Sequence, residues 1–187
     1  MGTLLPIEAV PGPELVLALR RAFDAGDAVL PVDPRLPGPA VAALLAALRA
    51  GEAVDDGDAL VVPTSGTTGE PKGAVLTHDA VRASARATSA RLAVDPERDR
   101  WLSCLPLAHV GGLSVVLRAM VTETPLTFDV DEPATLVSLV ATQLLRMDTS
   151  RFRTVVLGGA APPEDRPANC VTTYGMTETG SGIVYDG

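Results

Sequence analysis

Aromatic side chains are scarce in this sequence of 187 residues, which holds one Trp, two Tyr and three Phe. A chain so short of flat rings is poorly equipped to stack single-stranded bases, and its core must be assembled from Ala, Val and Leu. Positive charge is also short. Lys and Arg number 15 against 23 Asp and Glu, the net charge is −8, and Lys72 is the only lysine. That balance opposes a nucleic-acid backbone or an anionic membrane surface as partner, so any phosphate must be held by local geometry. Cysteine is limited to Cys104 and Cys170, each in an apolar run, and histidine to His78 and His109. No His/Cys cluster supports a metal pair, and the two thiols read as small buried hydrophobes in a reducing compartment. No apolar stretch approaches the ~20 residues of a membrane span. The start, MGTLLPIEAVPGPE, lacks the basic leader and small-residue cleavage site of a secretory signal. We expect a soluble, cytoplasmic protein with no membrane span and no nucleic-acid partner. Nothing in the sequence sets the oligomeric state, and a homo-oligomer stays open.

What is present is a globular composition, 47% hydrophobic and 20% charged, punctuated by Gly and Pro into alternating segments. Leu15, Leu19 and Phe23 recur at steps of four with Gly26 just beyond, which predicts a helix over 14–25. Val41, Leu44, Leu45 and Leu48 predict another over 39–50, ended by Gly51. Helices are also predicted over 79–92 and 112–121, with a helical TQLLR after residue 140. Short apolar runs predict strands at 28–32, 59–62, 74–77, 125–130, 136–140, 154–159 and 170–175, and WLSCL reads as one more. Strands interleaved with helices point to an α/β fold with layered, largely parallel sheets. One stretch strains this reading. Only GGAAPPEDRPAN, with three prolines, joins the strands at 154–157 and 170–173, where a parallel crossover ordinarily holds a helix. Either the crossover is an extended loop or that pairing is not parallel.

The chemistry concentrates where the run Ala59–Pro63 enters TSGTTGEPKG. Hydroxyls on Thr64, Ser65, Thr67 and Thr68 alternate with glycines that let backbone amides face a ligand, and Lys72 follows on a proline-stiffened stem. Hydroxyls, amides and one cation are what a polyphosphate needs. The spacing is not that of a Walker A loop, because counting from Gly66 puts Pro71 where the second glycine belongs. On residue chemistry alone, a phosphate loop and a solvated Ser/Thr/Gly linker both remain.

TSGTTGEPKG resembles the phosphate-loop signature of the adenylate-forming acyl–CoA ligases, adenylation domains and luciferases. About a hundred residues later Tyr174-Gly-Met-Thr-Glu-Thr-Gly180 resembles a second signature of that superfamily, in the right order. The resemblance implies the N-terminal domain of those enzymes, with ATP, Mg²⁺ and coenzyme A as reactants and cofactor. It assigns Thr64, Ser65, Gly66, Thr67, Thr68, Gly69 and Lys72 to the β- and γ-phosphates. It assigns the adenine pocket to Tyr174, with Gly158, Gly159, Ala160, Gly175 and Met176 around it. Thr177 would contact the α-phosphate and Glu178 would hold Mg²⁺, a hard cation suited to carboxylate oxygen. Outside the motif, Glu178 would read as a surface carboxylate.

The segment Leu105-Pro-Leu-Ala-His-Val-Gly-Gly112 precedes the helix carrying Arg118. A lone histidine such as His109 reads first as a structural hydrogen-bonder; the resemblance places it beside the reacting carboxylate, where it orders the acid or gates coenzyme A. Arg118 interrupts an apolar segment. It either snorkels to the surface or clamps a second carboxylate on the substrate. With Ser138-Leu-Val-Ala-Thr-Gln-Leu144 and LGGAAPP, this arrangement resembles the o-succinylbenzoate–CoA ligases of menaquinone biosynthesis. That resemblance makes Arg118, Ser138, Thr142, Gln143 and His109 the acyl-site candidates, with a carboxylic acid, ATP and coenzyme A as small-molecule partners.

Family members continue with a ribose-binding aspartate, a hinge and a small C-terminal domain bearing a catalytic lysine. No position here matches those motifs. The expectation from the sequence is one truncated AMP-binding N-terminal domain over 1–187, incomplete by itself for full turnover.

Overall fold

A computed structural model of the chain describes residues 2–64 and 71–186. Strand β1 (Leu4–Glu8) leads into helix α1 (Pro13–Ala25), strand β2 (Ala28–Val32), helix α2 (Gly38–Ala47) and the hairpin of β3 (Asp58–Thr64) with β4 (Lys72–Thr77). Proline opens α1, its φ already helical and its missing N–H no loss there. Gly26 closes it at φ 78, donating its N–H to the Ala22 and Phe23 carbonyls. Helix α3 (His78–Arg91) is capped by the Thr77 hydroxyl, which accepts from the Ala80 amide at 3.2 Å. The remaining elements are β5 (Trp101–Leu102), α4 (Val110–Thr122), β6 (Leu126–Thr127), β7 (Leu136–Val140), α5 (Ala141–Leu144), β8 (Thr154–Gly158), β9 (Cys170–Met176), a 3-10 turn (Thr177–Thr179) and β10 (Ser181–Tyr185).

Two sheets result. One has the order β1-β2-β3-β4 and the other β10-β9-β8-β7-β5-β6. Every pairing is parallel except β3 with β4 and β9 with β10, so each sheet ends in an antiparallel hairpin. Helices α3 and α4 form a layer between the sheets. Val81, Leu113, Val116 and Leu117 join the core of Leu19, Val29, Leu60 and Leu76 on one side. On the other side Leu92, Val115 and Ala119 pack with Trp101, Leu136 and Val156. Consecutive residues from Gly112 to Ala119 are buried, which is why the α4 sequence is apolar all round rather than striped. Helix α2 covers the outer face of the first sheet through Val41, Leu45 and Leu48. Leu144 of α5 lies with Leu139, Val155 and Leu157 on the outer face of the second.

The layered, mostly parallel α/β fold predicted from the sequence is therefore the observed one. The strained crossover resolves as an extended loop: β8 and β9 pair in parallel, Val155 opposite Cys170 and Leu157 opposite Thr172, with no helix in 159–169. WLSCL contributes a strand of only two residues, Trp101 and Leu102. Cys104 and Cys170 are both free, the first half-buried and the second buried. No helix among the described residues is long and apolar enough to cross a membrane.

Candidate active site

The β3–β4 hairpin carries the hydroxyl- and glycine-rich signature at its open end. Its last register pair is Thr64 opposite Lys72, with the Thr64 hydroxyl donating to the Lys72 carbonyl at 3.3 Å. The Lys72 side chain is exposed. Ser65, Gly66, Thr67, Thr68 and Gly69 lie outside the described residues.

The second signature folds as the β9–β10 hairpin and the 3-10 turn between its arms. Thr179 closes that turn: its hydroxyl accepts from the Met176 amide at 3.0 Å and lies 2.8 and 2.7 Å from the Met176 and Ser181 carbonyls. Gly180 adopts φ 71 and donates to the Thr177 carbonyl, a left-handed conformation that favours glycine. Gly175 is required for a different reason, since a Cβ there would overlap the Ser181 carbonyl oxygen. The turn packs against β4, and Gly180 sits over Leu76 of β4 and Ser84 of α3. The turn of the second signature thus lies against β4, the strand that begins with the last residues of the first, Lys72 and Gly73.

Two adjoining cavities open along β8, β9 and β10. The first, about 420 Å³, is walled by Tyr174, Gly159, Ala160, Gly175, Pro162 and Asp186. Tyr174 is 61% exposed, so its ring face is available to a flat partner. The second, about 190 Å³, reaches inward and is lined by Arg118, Ser138, Gly158, Gly159, Gly175, Met176 and Ser181 among others. Gly159, Thr173 and Gly175 line both. A larger cavity of about 590 Å³ between α1, α4 and β6 is walled by side chains such as Val16, Met120 and Phe128 and contains none of the sequence candidates.

Arg118 is buried, with 2% exposure, so it does not snorkel. Its Nη2 donates to the Ser181 hydroxyl at 3.0 Å, and its guanidinium lies 4.7 Å from the centroid of the Trp101 ring. Its Nη1 has no hydrogen-bond partner among the described residues, and none of their carboxylates forms an ion pair with it. Burial pushes the guanidinium down from 12.5 to about 10, which leaves it charged at neutral pH.

The other candidates are placed unevenly. Ser138 is buried on β7 and faces the inner cavity. Thr142 is exposed on α5 and lines neither cavity, and Gln143 ties that short helix down: its Oε1 accepts from the Val140 amide and its Nε2 donates to the Cys104 carbonyl, both at 3.4 Å. His109 is the exposed N-cap residue of α4, next to Val110 and Gly111 of the inner cavity. Thr177 is half-buried and Glu178 exposed, both in the turn beside β4. No group of three His, Cys, Asp or Glu side chains capable of holding a metal occurs among the described residues. A lone exposed carboxylate nevertheless suits Mg²⁺ carried on a polyphosphate, since that ion keeps phosphate and water ligands and takes few from protein.

Ser181, Thr173 and Trp101 were not singled out from the sequence. The signals were there. Ser181 directly follows the second signature, Thr173 precedes its tyrosine, and Trp101 is the sole tryptophan of an aromatic-poor chain.

Comparison with known proteins bears on the family and the fold. Residues 49–187 match the AMP-binding enzyme family. A probable 2-succinylbenzoate–CoA ligase of Mycobacterium tuberculosis is 38% identical over 92% of this chain and 52% of its own length. Wild-type E. coli MenE with a bound m-phenylether-linked analogue of OSB-AMS superposes with a TM-score of 0.83 at 28% identity, over 98% of this chain and 51% of that one. The Bacillus subtilis o-succinylbenzoate coenzyme A synthetase in complex with ATP and magnesium ion shares the fold, with a TM-score of 0.82 at 24% identity over 98% of this chain and 52% of that one. The chain spans about half the length of these relatives. Matched over most of its length, this chain belongs to the AMP-binding enzyme family.

Proposed function

We propose that this chain forms the nucleotide- and acyl-binding part of an acid–thiol ligase that activates o-succinylbenzoate with ATP for transfer to coenzyme A. In this reading the carboxylate of the succinyl arm attacks the α-phosphorus of ATP and pyrophosphate departs. The thiolate of coenzyme A then displaces AMP and leaves the thioester. Thr64, Lys72 and the loop they flank hold the β- and γ-phosphates, while Thr177 orients the α-phosphate. Tyr174 stacks on adenine, with Gly159 and Ala160 leaving room for the base. Glu178 would hold Mg²⁺, which supplies charge neutralisation on the phosphates when bound. His109, at the mouth beside Gly111, orders the incoming acid. Catalysis here is chiefly positioning and electrostatic stabilisation. The partners are small molecules and the setting is the cytoplasm.

The observation that carries the substrate assignment is Arg118. A buried guanidinium without a carboxylate partner is expensive, and a second carboxylate on the substrate is the group that would complete it. An acid with one carboxylate, consumed at the phosphorus, leaves this cation alone. The test is Arg118→Met, which keeps bulk and removes charge. Calorimetric titration should show o-succinylbenzoate binding weakened by at least about 30-fold, with ATP binding unchanged. Equal affinity in wild type and variant, or pyrophosphate release that favours monocarboxylic acids, refutes the assignment.

A further inference from the structure

We infer that Trp101 is a positioning residue that holds Arg118 charged and oriented without pairing it to a carboxylate of the protein; the inference rests on the reading of Arg118 as the substrate clamp. The Trp101 ring is fully buried on β5, behind the inner cavity and not among its lining residues. Buried indole N–H groups ordinarily find an acceptor. The Trp101 Nε1 has none among the described residues, so the ring is not held by its N–H. What it offers Arg118 is its face, 4.7 Å from the guanidinium.

That choice of neighbour has a chemical consequence. An Asp or Glu in place of the ring would satisfy the guanidinium and would compete with any carboxylate that entered. The ring quadrupole stabilises positive charge but presents no lone pair directed at an N–H, so it leaves donors free. Ser181, the hydrogen-bonding neighbour, occupies only Nη2. Nη1 is left without a partner. The pair Trp101 and Ser181 therefore fixes the plane of the guanidinium from two sides without neutralising it. Preorganisation of this kind raises selectivity for a second carboxylate and leaves nucleotide binding alone.

The quantity to measure is the ratio of affinities for o-succinylbenzoate and for a monocarboxylate analogue lacking the ring carboxylate, by calorimetry on the 187-residue chain. Trp101→Leu should lower that ratio by roughly tenfold with ATP affinity unchanged, and Trp101→Phe should restore most of it. Because Trp101 is the only tryptophan, its fluorescence gives a second readout that needs no core substitution. Titration with o-succinylbenzoate should change its emission, and the monocarboxylate should not. Arg118→Met separates the two ideas. If it leaves the ratio unchanged, the clamp itself fails and the role of Trp101 falls with it. If Arg118→Met collapses the ratio while folded Trp101→Leu and Trp101→Phe both keep it, or while wild-type emission ignores the dicarboxylate, then the role of Trp101 alone is overturned.

Discussion

Gly175→Ala is the sharpest perturbation the site offers, because one methyl group tests the closeness of the β9–β10 hairpin. The added Cβ would overlap the Ser181 carbonyl oxygen and stand 2.7 Å from the Gly182 Cα. Both are backbone atoms, so no side-chain rotation relieves the clash. Restoring a carbon–carbon separation of roughly 3.5 Å means moving β10 by on the order of 1 Å. The Arg118–Ser181 hydrogen bond starts at 3.0 Å and is lost beyond about 3.5 Å, so that displacement breaks it. The Thr179 contacts that close the 3-10 turn span the same two strands and loosen together with it. Overpacking of this kind costs about 2 kcal/mol, which for a domain of this size lowers the melting temperature by about 4–8 °C. Under the proposed function, in which the turn sets Thr177 and Glu178 against the nucleotide, ATP affinity should fall by roughly tenfold. Scanning calorimetry and a calorimetric ATP titration check the two parts. A variant that melts within a degree of wild type and binds ATP equally well refutes the claim that this hairpin is closed on itself.

Other expectations follow from single side chains. Lys72→Ala should weaken ATP binding by about tenfold without moving the melting temperature, because its side chain is exposed; unaltered ATP affinity removes Lys72 from phosphate handling. Asp99, 4% exposed, accepts from Thr135 Oγ1 at 2.7 Å, the Asp95 amide at 2.9 Å, and Arg153 Nη2 at 2.6 Å. Asp99→Ala should cost about 2 kcal/mol, a discounted figure because the Arg153 side chain is 43% exposed and solvent screens its charge, read as a lower urea midpoint at pH 7. Burial alone would raise the Asp99 pKa, but the hydrogen bonds from Arg153, Asp95 and Thr135 outweigh it and hold it below the usual value. Since the folded pKa lies below the unfolded one, this stability is present above pH ~4 and drains away as pH falls through the folded pKa. Between pH 7 and pH 3 the wild type should therefore lose more stability than Asp99→Ala, and parallel losses contradict the assignment.

Much of this was legible in the sequence, for physical reasons that differ by element. Leu15, Leu19 and Gly26 announced α1 because side-chain period and a left-handed stop are local properties. Strand β1 was not read, since Pro6 argues against a central strand. It sits at the sheet edge, where a missing N–H costs little. The two-residue length of β5 is set by its pairing partners β6 and β7, which no local pattern in WLSCL reveals. Arg118 left two readings open because its fate depends on what α4 meets. Only the packing of that helix between two sheets excluded the surface. Gln143, an acyl-site candidate from the sequence, also ties α5 to the Cys104 carbonyl, a contact across 39 residues that no local pattern announces.

Each of the two signature hairpins hangs from a different sheet, with α3 and α4 as the layer between. A nucleotide seated across both would act as a strut, making the docking of one sheet on the other part of its own binding free energy. At a hundred times its Kd, such a ligand adds about 2.7 kcal/mol to the folded state, and that increment would be shared by both sheets. Damage to the apolar layer of α4 would then be felt as lost grip on the nucleotide as well as lost stability.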